Sequence, residues 1–217
     1  MLILNVPYAQ KEEAKALGAR WYPEGKKWVV YSKKYNDIIK FRKWLDGSFI
    51  IRNELYIVEG KRVCWKCKKE TPVICLAFKD YINLDFPEIR GDSFILTSML
   101  SELPCEIFNY MTKKYFFKMT YSRTRNEMYC ANCCINCNCI QGEFHLFEEF
   151  LDSPFYPMTE DSARELTFNR IKLPFDFSTE FEAYLDFSED DGLAISPNDL
   201  VNKYSKFEEL NLFNQVN

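Results

Sequence analysis

Two pairs of cysteines constrain this chain more than any other feature of its sequence. Cys64 and Cys67 are separated by two residues, and the later segment CANCCINCNC, residues 130–139, offers the same spacing twice. Two such C-x2-C turns supply the four thiolates of a closed tetrahedral zinc site. The sequence therefore predicts one metal ion that ties together two segments lying far apart in the chain.

The residue that follows each candidate pair decides between Cys130/Cys133 and Cys134/Cys137. A metal knuckle turns sharply after its second cysteine, and the next residue often needs a positive φ angle, which asparagine tolerates. Asn138 follows Cys137, whereas Cys133 is followed by another cysteine. We therefore predict that a structural Zn2+ is held by Cys64, Cys67, Cys134 and Cys137.

The segments that flank the two pairs fit a zinc-ribbon-like module, in which strands lead into and out of each knuckle. TPVICLAF follows the first pair, and GEFHLF, which we also predict to be a strand, follows the second. Sixty-six residues separate the pairs, but each doubling of loop length costs only about 0.6 kcal/mol. Because zinc binding in small modules contributes about 10–16 kcal/mol, we expect one shared ion and an inserted helix and hairpin.

Other roles remain open for the cysteines. The four thiols could be buried without metal, or a C-x2-C pair could be redox active, although no thioredoxin-like pattern surrounds either pair. Cys130, Cys133 and Cys139 rank second as ligands. Cys75 and Cys105 are most simply core residues.

The composition favours a folded protein in a reducing compartment. Of the 217 residues, 47% are hydrophobic and 17% aromatic, which is enough for real cores. No run approaches the roughly 20 apolar residues of a membrane helix, and the N-terminus lacks a signal-peptide pattern. We therefore expect a cytoplasmic location and no membrane contact. In the reducing cytoplasm, nine cysteines indicate metal ligands or buried thiols rather than disulfides.

Charge and pattern divide the chain into three predicted parts of an α+β protein. Residues 1–47 form a small basic domain of βαβα type, 48–157 form the zinc-ribbon-like module with its insertion, and 158–217 form an acidic, aromatic extension packed on it. Net charge falls from +5 in the first 50 residues to −9 in the last 67. This polarity is hidden by the overall net charge of −4.

Local patterns locate several elements within these parts. Helical spacing of apolar residues predicts helices over 9–17, over 93–103 up to Pro104, and near 197–210. Alternation predicts a half-buried strand over 115–122, followed by a turn and a return strand. Gly18 stands where a left-handed residue would end the first helix.

The string NVPYAQKEEAKALGARWYPEGKKWVV resembles a small uncharacterised domain of bacterial proteins, which occurs singly and attached to primase-like proteins of conjugative plasmids. The resemblance covers about residues 2–47. The residues that carry it are Asn5-Val6-Pro7-Tyr8, Lys11, Ala14-Lys15, Leu17-Gly18-Ala19, Trp21 and Lys27-Trp28. It implies a setting of mobile elements and DNA metabolism, and it implies no activity.

The second part is similar to a bacterial zinc-binding module that follows this domain. The matching pieces are Cys64-Trp65-Lys66-Cys67, Tyr121-Ser122, Ala131-Asn132, Cys134/Cys137, Gln141-Gly142 and Phe155-Tyr156-Pro157. This similarity independently selects Cys134/Cys137 as the second pair. Lys68 and Asn138 depart from the module, which usually has glycine after each knuckle, and the cysteines at 130, 133 and 139 lie outside its pattern.

The small basic domain, residues 1–47, is called the head below. It interleaves cations with aromatic residues, which suits single-stranded nucleic acid. Lysine and arginine neutralise phosphates, and exposed aromatic rings stack on unpaired bases. The predicted phosphate contacts are Lys26, Lys27, Lys33 and Lys34. The ordinary alternative is that Trp21 and Trp28 form the core of a tiny domain and the lysines are its solvated face.

The acidic extension, residues 158–217, is called the tail below. It suggests a second function, in which the protein is an interaction adaptor or inhibitor. Its acids and phenylalanines, as in PFDFSTEFEAYLDFSEDDG, could bind a basic protein partner or dock on the chain's own head. The ordinary alternative is that the acids solvate the outer face of elements packed by the phenylalanines.

Catalysis is not expected from this sequence. His145 is its single histidine, whereas a catalytic zinc commonly uses two or three histidines and keeps an open position. Nucleotide-binding and hydrolase motifs are missing as well. The leading hypothesis is therefore a non-enzymatic zinc-binding protein associated with nucleic acid, and a cryptic hydrolase is a third class of function.

Overall fold

The computed structural model describes residues 1–88, 93–148, 153–181, 184–187 and 195–213. Strands and helices both form throughout these residues, so the predicted α+β class is confirmed. The strands are β1 Leu2–Leu4, β2 Arg20–Tyr22, β3 Lys27–Val30, β4 Phe49–Ile51, β5 Glu54–Val63, β6 Glu70–Phe78, β7 Tyr81–Asn83, β8 Ile95–Thr97, β9 Phe117–Ser122, β10 Glu127–Asn132, β11 Thr167–Lys172, β12 Phe177–Thr179, β13 Tyr184–Asp186 and β14 Lys206–Glu209. The α-helices are α1 Lys11–Ala16, α2 Tyr35–Ile38, α3 Cys105–Lys114, α4 Glu160–Arg164 and α5 Pro197–Tyr204.

The N-terminal region is a three-stranded antiparallel sheet of order β1-β3-β2, covered by α1 and α2. Gly18 has a φ angle of +103° and ends the first helical segment, as predicted. Strand β2 was not predicted, because its three residues precede the turn at 23–26 and are too short to show alternation. Trp28 is buried in the core of this region, together with Phe41 and Trp44.

A six-stranded sheet of order β13-β8-β6-β5-β11-β14 forms the centre of the molecule. Its pairs are antiparallel except β11 with β14. Both faces of β5 are buried, because Leu55 and Ile57 face one core while Tyr56 and Val58 face another. Helix α3 covers the first face, and α5 contributes to the second.

The C-terminal part supplies strands to sheets that begin earlier in the chain. Strand β11 pairs with β5, β13 pairs with β8, and β12 pairs with β4 in a three-stranded sheet of order β12-β4-β7. Asp176 also joins this part to the head, since its carbonyl accepts from Ile3 N at 3.0 Å and its N–H donates to Met1 O at 2.8 Å. The head and tail therefore touch through backbone pairing.

Strands β9 and β10 form a separate hairpin that bears the second cysteine cluster. Asn132, which is buried, fastens it to the central sheet. Its side-chain amide accepts from Ile74 N and donates to Ile74 O, each at 2.8 Å. This side chain thus takes the place of a neighbouring strand at that point of β6.

Two predicted elements are wrong, and both errors come from short apolar runs. The helix over 93–103 is not formed: residues 95–97 are strand β8, and α3 begins after Pro104 rather than ending there. Periodicity alone cannot separate a buried strand from a helix in so short a run. Proline lacks a backbone N–H, which an N-terminal position does not require.

GEFHLF is the second error, because residues Phe144–Glu148 form a turn of π-helix rather than a strand. Leu146 and Phe147 are both buried while Phe144 is 57% exposed, a distribution that strand alternation cannot give. The last helix is also shorter than predicted, since α5 ends at Tyr204 and β14 follows. Among the described helices, none has the length and apolar character needed to traverse a bilayer.

Candidate metal centre

The first knuckle joins the two longest strands of the central sheet, β5 and β6. Within it, Lys68 N donates to Cys64 O at 2.9 Å, and Cys64 N donates to Lys69 O at 2.9 Å. Lys68 has a φ angle of +60°, in the left-handed region that non-glycine residues rarely adopt. The chain turns there so that both cysteine side chains point to the same side.

The second knuckle repeats this arrangement at the end of the hairpin. Asn138 N donates to Cys134 O at 2.9 Å, and Cys134 N donates to Cys139 O at 2.8 Å. Asn138 has a φ angle of +61°, as expected from its place after Cys137. The two knuckles therefore share a backbone geometry, in which Cys139 occupies the position that Lys69 has in the first.

The four cysteines predicted as ligands lie in one cluster, with all four sulfur atoms within 4.8 Å of one another. Across the knuckles, Cys64 Sγ lies 3.7 Å from Cys137 Sγ, and Cys67 Sγ lies 3.6 Å from Cys134 Sγ. Sulfur atoms held about 2.3 Å from a tetrahedral zinc are about 3.8 Å apart. The cluster can hold a metal ion, and its donor set fits a zinc ion. Among the described residues it is the one group of three or more candidate ligands found.

Hydrogen bonds make one thiol of each knuckle easier to ionise than the other. Burial disfavours the Cys64 thiolate, but hydrogen bonds from the backbone N–H of Cys67 and from the Cys139 thiol outweigh it and lower its pKa to about 5. The pKa of Cys134 is lowered in the same way, since the N–H groups of Asn136 and Cys137 oppose the effect of burial. A cation would add to this stabilisation of thiolates.

The second thiol of each knuckle behaves differently. The Cys67 sulfur accepts a hydrogen bond from Lys69 N–H, which favours the thiolate, but burial and the neighbouring thiols raise its pKa to about 11. The pKa of Cys137 is also raised, although a backbone hydrogen bond from Cys139 opposes the shift. Four thiolates this close repel one another, so a divalent cation is what would allow all of them to ionise.

The remaining cysteines occupy different environments. Cys75 is fully buried in the core, as predicted, and burial raises its pKa. The prediction for Cys105 is wrong, because it is exposed at the start of α3. Cys133 is buried and Cys130 packs against the core, whereas Cys139 Sγ lies 3.3 Å from Cys64 Sγ and 3.4 Å from Cys137 Sγ.

Two further side chains next to the cluster were not singled out as functional from the sequence. Gln141 is 1% exposed, and its Nε2 lies 3.5 Å from Cys64 Sγ and 3.3 Å from Cys139 Sγ. Trp65 Nε1 donates to Ile140 O at 2.8 Å and so ties the first knuckle to the second. The available signal was that both residues lie in segments resembling the zinc-binding module.

The four lysines predicted to contact phosphates are all exposed. Lys26 lies in the turn before β3, Lys27 begins β3, and Lys33 and Lys34 lie between β3 and α2. Within the described residues, no ion pair involving any of the four is seen. Trp21 is 49% exposed and packs edge-on against the buried Trp28, with ring centroids 5.6 Å apart.

Comparisons with known proteins bear on the N-terminal region. Residues 1–46 match the family model described as a domain of unknown function, DUF5710. Over 45 residues the chain is 44% identical to the DNA primase TraC of Escherichia coli, a stretch that covers 21% of this chain and 3% of that protein. No solved structure matches. The head thus resembles an uncharacterised domain with a link to a primase, as predicted, while the chain spans a small fraction of that relative's length.

Proposed function

We propose that this is a non-enzymatic zinc-binding protein of the bacterial cytoplasm that associates with single-stranded nucleic acid in the DNA metabolism of mobile elements. The observation that carries the zinc part is the sulfur cluster. Its donors are all soft, two of its four cysteines are fully buried, and the cross-knuckle spacing suits a tetrahedron. Four thiolates would leave no open coordination position, so the ion has a structural role.

The nucleic-acid part rests on the head. Its segment resembles part of a DNA primase, and Lys26, Lys27, Lys33 and Lys34 project into solvent with no described acidic partner. Exposed rings lie beside other cations in the same region: Lys11 Nζ is 3.9 Å from the Tyr8 ring centroid, and the Arg20 guanidinium is 5.9 Å from that of Tyr31. Cations beside exposed aromatic rings suit a single strand, whose phosphates and unpaired bases are both accessible.

Fluorescence anisotropy with a labelled oligothymidylate, measured across a salt series, tests this part. Each phosphate contact to a single strand contributes about −0.7 to the slope of log K against log salt. Changing the four head lysines to glutamine should therefore make the slope less negative by up to about 3. A matched control changes four exposed lysines elsewhere to glutamine: Lys113, Lys172, Lys203 and Lys206.

The control variant carries the same change in net charge, so it separates a specific surface from general electrostatic attraction. We expect it to leave the slope nearly unchanged. No binding of the oligothymidylate at low salt, or an equal loss in both variants, would contradict the role of the head.

The alternative function, a protein adaptor acting through the acidic tail, stays a prediction. The described phenylalanines of the tail favour a packing role, since Phe177, Phe181 and Phe187 are buried and Phe175 packs on Tyr22. Deleting the tail would also remove strands β11, β12, β13 and β14 from their sheets. A cleaner test converts Glu189, Asp190 and Asp191, which lie outside the described residues, to their amides. The adaptor then loses its basic partner in a pull-down, whereas a nucleic-acid binder keeps or gains affinity.

A further inference from the structure

We propose that Cys139 is a reserve ligand of the metal centre, able to replace Cys137 as the fourth thiolate. This inference rests on the proposed zinc site and goes beyond it, because it assigns a fifth sulfur and predicts which corner of the tetrahedron can exchange. The ligand concerned is a thiophilic divalent cation such as Zn2+ or Co2+.

The positions of the sulfur atoms are the first argument. Cys139 Sγ lies 3.3 Å from Cys64 Sγ and 3.4 Å from Cys137 Sγ, closer than the two cross-knuckle pairs. Two sulfurs bound to one tetrahedral zinc are about 3.8 Å apart, so Cys139 is too close to serve as an additional ligand beside both neighbours. Cys139 therefore competes with one of these two neighbours for a ligand position. Because it lies outside the group of four sulfurs that are all within 4.8 Å of one another, its side chain has to move to bind.

The backbone of the second knuckle is the second argument. Cys139 already belongs to this knuckle, because its carbonyl accepts from Cys134 N at 2.8 Å. Cys137 and Cys139 are therefore held on the same short turn, and exchanging one sulfur for the other requires side-chain movement while that hydrogen bond stays in place. The equivalent position of the first knuckle is Lys69, which offers no sulfur, so the Cys67 corner has no such substitute within its own turn.

Gln141 supplies an independent observation. Its side chain is 1% exposed. Its Nε2 donates to Cys139 O at 3.0 Å and also lies within 3.5 Å of both Cys64 Sγ and Cys139 Sγ. Its Oε1 is buried and has no hydrogen-bond partner among the described residues. An amide with an unsatisfied oxygen is costly to bury. Its placement is explained if the N–H group stabilises negative charge on sulfur, including on Cys139.

The exchange is balanced without any change of oxidation state. The Cys139 thiol gives its proton to water or buffer, its sulfur bonds to the metal, and the Cys137 sulfur leaves the metal and takes up a proton. The ion keeps four sulfur ligands before and after the step. The second knuckle is thus the side on which metal can be exchanged or handed to another thiolate ligand.

Metal competition on four variants tests the proposal: Cys137→Ser, Cys67→Ser, Cys139→Ser and Cys137→Ser/Cys139→Ser. Zinc affinity is measured against a chromophoric chelator, and the thiolate-to-cobalt absorption of the Co2+ form counts the bound sulfurs. We expect Cys137→Ser to bind one metal through four sulfurs within about tenfold of the wild-type affinity, and Cys139→Ser to match the wild type. Cys67→Ser and the double variant should each lose at least about 100-fold.

Several outcomes would overturn the reserve role. A Cys137→Ser variant as weak as Cys67→Ser, or one with three sulfurs bound to cobalt, removes it, and so does a Cys139→Ser variant as weak as Cys67→Ser. Wild-type protein that binds no zinc ends the proposed metal site itself. The two failures are distinguishable, because the first leaves wild-type binding intact.

Alkylation of the zinc-loaded wild-type protein gives a second measurement that does not depend on variants folding. Mass spectrometry follows the labelling of each cysteine by iodoacetamide. If Cys139 replaces Cys137 as the fourth metal ligand part of the time, the Cys137 thiol is released and should be labelled faster than that of Cys67. Equal protection of Cys137 and Cys67 in the zinc-loaded wild type contradicts the exchange.

Discussion

The two knuckles have the same backbone hydrogen bonds but stand in very different surroundings. The first is clamped between β5 and β6, whose pairing extends to Val63 opposite Glu70. The second ends a two-stranded hairpin and is closed by a single bridge between Cys133 and Ile140. A knuckle's shape is therefore a local property of Cys-x-x-Cys and the next residue, whereas its rigidity depends on the sheet around it.

Removing the metal should expose this difference most strongly. With a zinc chelator, we expect hydrogen exchange at the amides of Cys134 and Asn138 to accelerate at least about tenfold more than at those of Cys64 and Lys68. The first knuckle keeps its flanking strand pairs, while the second is joined to β6 through side-chain hydrogen bonds of Asn132, Thr71 and Asn136. Amides in the middle of β6, such as that of Leu76, serve as the unchanged reference. Equal acceleration in both knuckles would show that the sheet does not stabilise the first.

Loss of the Asn132 side chain should detach the second knuckle from the central sheet. In Asn132→Leu, Ile74 N–H and Ile74 C=O lose their partners, and each unsatisfied buried group costs about 1–3 kcal/mol. We expect the free energy of unfolding, measured by urea denaturation of the zinc-loaded protein, to fall by about 2–4 kcal/mol. The control is Asn136→Leu, whose exposed side chain donates to Glu70 O at 3.1 Å and should cost less than about 1 kcal/mol. Similar losses in both variants would contradict the anchoring role.

Glycine substitutions after each knuckle give the smallest effects and sharpen the comparison. Lys68 has φ +60° and Asn138 has φ +61°, and the left-handed region costs an ordinary side chain about 1–2 kcal/mol. Lys68→Gly should therefore raise the free energy of unfolding by about 0.5–1 kcal/mol. Asn138→Gly should gain less, since asparagine tolerates this region and its Oδ1 accepts from Lys118 Nζ at 2.6 Å.

The same denaturation assay on Lys118→Ala measures that hydrogen bond together with the contact of Lys118 Nζ with the Phe116 ring, whose centroid is 4.2 Å away. An exposed contact of this kind contributes roughly 0.5 kcal/mol or less. If Asn138→Gly stabilises the protein as much as Lys68→Gly, the two turns carry the same strain and the special suitability of asparagine is refuted.

Much of the candidate site followed from the sequence because it depends on local chemistry. Spacing indicated the candidate cysteine pairs. The residue after Cys137 then favoured the pair whose sulfurs the structure places beside those of Cys64 and Cys67, since the φ preference of Asn138 acts within a few residues. The hairpin followed from the alternation over 115–122. The element at 93–103 did not follow, because its short apolar run fits a strand and a helix equally well and the choice was made by pairing with β6.

What the sequence determined by itself is therefore the set of turns, caps and ligand pairs, each fixed by neighbouring residues. Tertiary structure decided which distant segments meet. It placed β11 beside β5, set Asn132 against Ile74, and brought Cys139 rather than Cys130 or Cys133 to the sulfur cluster. The two partners of these contacts are separated by 58 to more than 100 positions in the sequence. No local preference specifies such contacts, because their free energy arises only when both partners are buried together.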